Sequence, residues 1–205
     1  MNKLSLPFIF YMLITGALVF LIFITPYLAF LKNQFANFLY DDVFSYICHQ
    51  KISRSLCLFK DDAGYHVEDC LPQTGAYRND LRSEKSALHD GLLGYKFPVS
   101  ARDMLIYVGM FTGGIALFIT NRANSRTVPH AIFFILALVP IGIDGITQSV
   151  LEWRESTNLI RAATGFIAGF ATGIYAPLIL NHKFLKCQEA PPPSATPRNA
   201  EARKK

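Results

Sequence analysis

The run from Leu6 to Leu31, LPFIFYMLITGALVFLIFITPYLAFL, decides the class of fold. Interrupted by Thr15, Gly16 and Thr25-Pro26, it still exceeds the ~20 apolar residues that an α-helix needs to cross a bilayer. It reads as a first transmembrane helix, kinked near its far end by Pro26. It lacks a small-residue cleavage site, so it is expected to remain as a span and not to be removed as a signal. Three more such runs follow: Ala101 to Thr120, Ala131 to about Val150 with Pro140 inside, and Leu159 to Leu180. The expected fold is an all-α membrane protein of four transmembrane helices, with a long extracytoplasmic loop between the first and second.

Composition agrees. The 205-residue chain is 51% hydrophobic and 17% charged, against ~25% charged in ordinary soluble domains. The net charge of +5 is not a nucleic-acid signature, because Lys183, Lys186, Arg198, Arg203, Lys204 and Lys205 all follow the last apolar run and no basic patch is interleaved with aromatics. That excess reads as a topology signal and a contact with membrane lipids.

Four regions are expected. Residues 1–31 hold the first span. Residues 32–100 form an extracytoplasmic connection, opening on Phe35 to Ile47 as an interfacial or plain connecting helix and continuing from Leu58 to Phe97 as a polar insertion with little periodicity. Residues 101–181 carry three spans, and 182–205 form a Pro-rich, basic, disordered tail. Gly109 and Gly113 in the second span, and Gly165, Gly169 and Gly173 in the fourth, make smooth stripes suited to close helix packing.

Orientation follows from the positive-inside rule. The connection between spans two and three has Arg122 and Arg126 and no acid, and the tail is basic, whereas Arg154 is offset by Glu152 and Glu155. Both termini are therefore expected in the cytoplasm. The start of span two, the end of span three and the start of span four then share the outer leaflet with the stretch YICHQKISRS, residues 46–55.

That placement gathers Cys48, His49, Arg54, Arg102, Asp103, Asp144, Gln148, Asn158 and Arg161 at one end. An Arg or Asp at a helix centre costs ~2.5–3.5 kcal/mol on insertion scales, so several together imply mutual pairing around a wet pocket. Asp144 and Gln148 are one helical turn apart on one face. The carboxylate is a candidate base, cation ligand or partner of Arg102 or Arg161; a purely structural ion pair is the alternative. Arg54, Arg102 and Arg161 are candidate anion ligands, with snorkelling to headgroups as the plain reading. His49, Cys48, Asp103 and Asp144 are the candidate catalytic groups. Cys48-His49 offers a thiolate–imidazole pair or two ligands for a divalent metal, but neighbours on a helix diverge by about 100° and no CxxC or HExxH spacing supports zinc. A buried thiol beside a hydrogen-bonded imidazole is the simpler outcome. Cys57 and Cys70 are candidates for an extracytoplasmic disulfide, and Cys187 is palmitoylated or free.

Taken in order, Cys48-His49-Gln50 with Arg54-Ser55, Arg102-Asp103 with Tyr107 and Gly109, Asp144-Gly145 with Gln148, and Ser156-Thr157-Asn158 with Arg161, Thr164 and Gly165 resemble the integral-membrane family catalogued as domain of unknown function 2085. The likeness spans about residues 40 to 180. Members often carry Cys-x-Arg-Cys or Cys-x-Arg-Asp where this chain has Ser100-Ala-Arg102-Asp103, so a thiol is missing from any cysteine-rich metal site here. The insertion from Leu58 to Phe97 is longer than the usual connection. The family brings no activity with it.

Three functional classes follow. One is an enzyme acting on a lipid-linked or anionic substrate, with Arg54, Arg102, Gln148, Asn158 and Arg161 holding it. The second is a small transporter or channel component; polar residues confined to one leaflet argue against a through-pore. The third is an accessory subunit, in a homo-oligomer or larger membrane complex, whose polar cluster locks four helices together.

Overall fold

A computed structural model describes residues 4–48, 52–71, 84–89, 91–149 and 156–189, with only the backbone described at 149 and 185–189. Four long apolar helices, each able to cross a membrane, form a bundle: α1 (Leu6–Phe30), α3 (Ala101–Ile119), α4 (Ala131–Ser149) and α5 (Asn158–Glu189). In α1, Thr15 and Thr25 return their hydroxyls to the carbonyls of Tyr11 and Leu21, at 2.8 and 2.6 Å, so neither leaves a bare polar group among apolar surroundings.

The expectation of an all-α fold requires a correction. Between α1 and α3 lies a four-stranded antiparallel sheet of β1 (Leu56–Lys60), β2 (Tyr65–Asp69), β3 (Ser86–His89) and β4 (Leu92–Lys96), in the order β2-β1-β4-β3. The central strand LCLFK hid its character because both of its faces are covered. Cys57 and Phe59 pack with Ile52, Cys70 and Ala87, while Leu56 and Leu58 join the cluster around Ile22, Phe44, Phe97 and Met104. A strand covered on both sides loses the apolar–polar alternation that announces a half-buried one. Cys57 and Cys70 form a disulfide. It ties the start of β1 to the residue after β2, closing the lobe.

The stretch after α1 is less regular than a single interfacial helix. Asn33 caps α2 (Gln34–Phe38) by accepting the Phe35 N–H at 2.9 Å; a π-helical turn (Leu39–Val43) and a 3-10 turn (Phe44–Tyr46) follow. Leu39, Tyr40 and Phe44 turn inward, and Phe35, Phe38 and Tyr46 stay exposed. Tyr40 donates its phenol to the carbonyl of Lys96, a residue buried at the end of β4. Aromatic contacts then seat the sheet on the last turns of α1: Phe23 on Phe97 at 5.5 Å and Phe30 on Tyr95 at 4.8 Å.

The tightest helix contact is α3 on α5, and glycine makes it. A methyl group built at Gly109 would lie 2.6 Å from the Phe166 carbonyl oxygen, and one at Gly113 2.6 Å from that of Phe170. Gly165, Gly169 and Gly173 face Arg102, Ile106 and Met110 in the same way. α4 lies outside this pair, against α5. The helix α5 continues past Leu180 to Glu189, through residues 182–189 assigned to the tail by the sequence reading, because no helix breaker occurs before Pro191. The remainder of the tail, 190–205, lies outside the described residues, as does the side chain of Cys187.

Candidate functional site

The sheet, the start of α3, the end of α4 and the start of α5 meet at one end of the bundle, where three polar groups form. The first is built on the cap of α3. Ser100 Oγ accepts the Asp103 N–H at 3.2 Å, a serine cap, and donates its own proton to the Asp103 carboxylate at 2.9 Å. The Ser100 N–H donates to Cys48 Sγ at 3.3 Å. Two candidate catalytic residues, Cys48 and Asp103, are thus gathered around a helix start, and Cys48 is buried.

The second group joins α3 to α4. Arg102 Nη2 donates to Asp144 Oδ2 at 2.5 Å and to Gln148 Oε1 at 3.5 Å. The one-turn spacing of Asp144 and Gln148 presents both to the same guanidinium. Asp144 is buried at 3% side-chain exposure, whereas Arg102 keeps 24%. Arg102 has five N–H donors, and these contacts engage Nη2 alone; its Nε is buried with no acceptor among the described residues.

The third group fastens α5 to the lobe. Asn158, at the first turn of α5, donates to Asp69 Oδ1 at 2.8 Å and reaches the carbonyls of Ser53 and Ser55, both at 3.5 Å. Its Oδ1 accepts from Arg161 Nη1 at 3.0 Å, and both Asn158 and Arg161 are buried. Arg54 is half-buried in the turn Ile52–Arg54 and makes no hydrogen bond or ion pair with the other described candidates. His49 lies outside the described residues.

Apart from Arg54 and His49, the candidates therefore occur as hydrogen-bonded groups at this end. Among the described residues, no three His, Cys, Asp or Glu side chains converge in a way that would hold a metal ion. Sequence reasoning missed Asp69 as the partner of Asn158, since nothing in YHVED distinguishes it from its neighbour Glu68. It also missed a cleft of about 470 Å³ between the sheet and α5, whose polar lining includes Glu68, Asp69, His89 and Asn158. Its carboxylates, Glu68 and Asp69, make the cleft a poor receptor for an anion.

A fourth polar group, also missed, sits at the opposite end. Asn181, fully buried, accepts from Ser5 Oγ at 2.6 Å and donates to the Ala123 carbonyl at 2.7 Å, and the Ser5 N–H donates to Asn124 Oδ1 at 2.8 Å. The sequence reading placed polar chemistry at one end only. A lone Asn in NHKF, past the last apolar run, carries no sign that it turns inward.

The model of a family described as "Predicted membrane protein (DUF2085)" matches residues 91–175, which contain Arg102, Asp103, Asp144, Gln148, Asn158 and Arg161. An uncharacterised protein of Methanocaldococcus jannaschii is 30% identical over 159 residues, 75% of this chain and 80% of that protein. An uncharacterised protein of Methanothermobacter thermautotrophicus is 37% identical over 93 residues, 45% of this chain and 79% of that protein. No solved structure matches. With four apolar helices, the ordered motifs from Arg102 to Arg161 and a relative covered over four-fifths of its length, the chain belongs to the DUF2085 family of predicted membrane proteins.

Proposed function

We propose that this protein binds the polar head of an anionic or lipid-linked molecule at the lobe-covered end of its bundle, with Arg102 as the principal contact. The observation that carries the reading is the state of that guanidinium. Asp144 holds it at Nη2, a quarter of it remains accessible, and its Nε has no acceptor among the described residues. An anchored but unsaturated guanidinium near the headgroup level suits a phosphate or carboxylate. Binding is better supported than turnover: Asp144 is engaged as a counter-ion, and Cys48 and Asp103 serve the cap of α3.

This reading takes the lobe-covered end as extracytoplasmic and both termini as cytoplasmic. The Cys57–Cys70 disulfide supports an oxidising compartment for the lobe, and Arg122 and Arg126 in the short opposite connection support the cytoplasm for theirs. A second reading, an accessory subunit of a membrane complex, is favoured by α4. Ile132, Phe133, Leu136, Val139, Ile143 and Ile146 all point away from the bundle, a face that another helix could cover.

The test is capture of a polyprenyl monophosphate by purified protein, read by native mass spectrometry. Arg102→Leu combined with Asp144→Leu removes the charges together and keeps the fold, since replacing a buried pair by apolar side chains is often neutral. Capture by the wild type and its loss in the folded double variant supports binding; equal capture by both refutes it.

A further inference from the structure

At the end opposite the lobe, the latch of Ser5, Asn181 and Ala123 fixes the start of α1 to α5 and to the connection 121–130. Just inside it, α1 and α5 leave a groove of about 610 Å³ whose walls are almost wholly apolar. Leu6, Phe10, Ile14 and Leu18 recur at four-residue spacing and line it along one face of α1. The hydroxyls at its floor are already used: Tyr11 donates to the Met110 carbonyl at 3.0 Å and Thr15 to that of Tyr11 at 2.8 Å. Lys183, two residues beyond the latch Asn181, stands at the groove's edge and is exposed.

We infer that this groove holds a hydrocarbon chain of an anionic membrane lipid, with Lys183 at its phosphate. The apolar walls alone would not select, because a chain leaving the bilayer exchanges one hydrocarbon environment for another. Selection comes from charge. The charged side chains described at this end are Arg122, Arg126 and Lys183, and none described there is a carboxylate. Basic pockets between helices at a membrane surface bind anionic headgroups in this manner. A second copy of the chain seated on the groove would instead bring like cations together, which is unfavourable. The latch makes the groove a fixed feature: the part-buried Ser5–Asn181 bond joins the start of α1 to α5, and releasing it strands the side-chain oxygen of the fully buried Asn181.

The full chain, taken from nanodiscs of equal dioleoylphosphatidylglycerol and dioleoylphosphatidylcholine into mild detergent, should retain the phosphatidylglycerol preferentially in native mass spectrometry. Lys183→Gln, an exposed change that does not threaten folding, should lower that preference about fivefold. Ile14→Trp, which fills the groove, should remove the retained lipid, while Ile135→Trp on the exposed face of α4 should not. The combined Arg102→Leu and Asp144→Leu variant should keep the preference, separating this site from the opposite end. Equal retention of the two lipids, a preference lost with the Arg102–Asp144 change instead of Lys183→Gln, or a dimer mass dispersed by Ile14→Trp would each overturn the inference.

Discussion

Arg102 Nη2 on α3 lies 2.5 Å from Asp144 Oδ2, and Asp144 is the only buried residue among those described on α4. A helix with otherwise lipid-facing or half-covered side chains thus inserts a carboxylate into the bundle. That contact is the polar link from α4 to α3, added to the packing of α4 on α5 through contacts such as Phe134 on Tyr175 at 5.0 Å.

Asp144→Ala should therefore destabilise strongly, by roughly 3 kcal/mol, because it leaves a guanidinium without its counter-ion. Reversible unfolding in mixed detergent micelles checks this. Gln148→Ala, which removes only a contact at 3.5 Å, should cost well under about 1 kcal/mol in the same assay.

Glycine at the α3–α5 contact supplies a second prediction. Gly109→Ala places a methyl 2.6 Å from the Phe166 carbonyl oxygen and 2.7 Å from the Phe170 nitrogen, so two backbones must separate. The expected cost is roughly 2 kcal/mol by overpacking, read by the same unfolding assay. Gly142→Ala on α4, with nothing within 4 Å, should be neutral or gain up to about 1 kcal/mol from helix propensity.

The disulfide gives a third. Cys57 and Cys70 are 13 residues apart and buried in the lobe's own core. Replacing both with Ala should destabilise the lobe by roughly 3 kcal/mol while the helices persist. Hydrogen exchange should then show faster exchange in β1 and β2 with α3 and α5 unchanged.

Tyr40 makes stability depend on alkaline pH. Burial, followed by the nearby Tyr95, pushes its phenol well above the ordinary tyrosine value of 10.0. A folded value above the unfolded one means that the stabilisation is fully present below about pH 10 and is lost as pH rises from there. Wild-type melting temperature should fall more steeply between pH 9 and 11 than that of Tyr40→Phe. The variant should also lose about 1 kcal/mol at neutral pH with the bond to the Lys96 carbonyl.

The four helices were legible because crossing a bilayer demands long apolar runs, and nothing else in a chain of this size produces them. Asp144 and Gln148 were legible as sharing one helix face by spacing, and Arg102 as a candidate for Asp144 by topology. The sheet was not, since LCLFK is covered on both faces and β2, β3 and β4 are short. Nor were Asp69 and Asn181 legible. Their partners, Asn158 and Ser5, are 89 and 176 residues away, and a polar residue's inward turn is set by tertiary contacts that leave no periodic trace.

A double-mutant cycle on Arg102→Leu and Asp144→Leu, followed by unfolding in micelles, tests the central pairing most directly. The double variant should be more stable than the Asp144→Leu single variant, with a coupling of at least about 1 kcal/mol between the sites. Additive effects within about 0.3 kcal/mol would mean that the two side chains do not meet, and would contradict the arrangement of α3 and α4 on which the site depends.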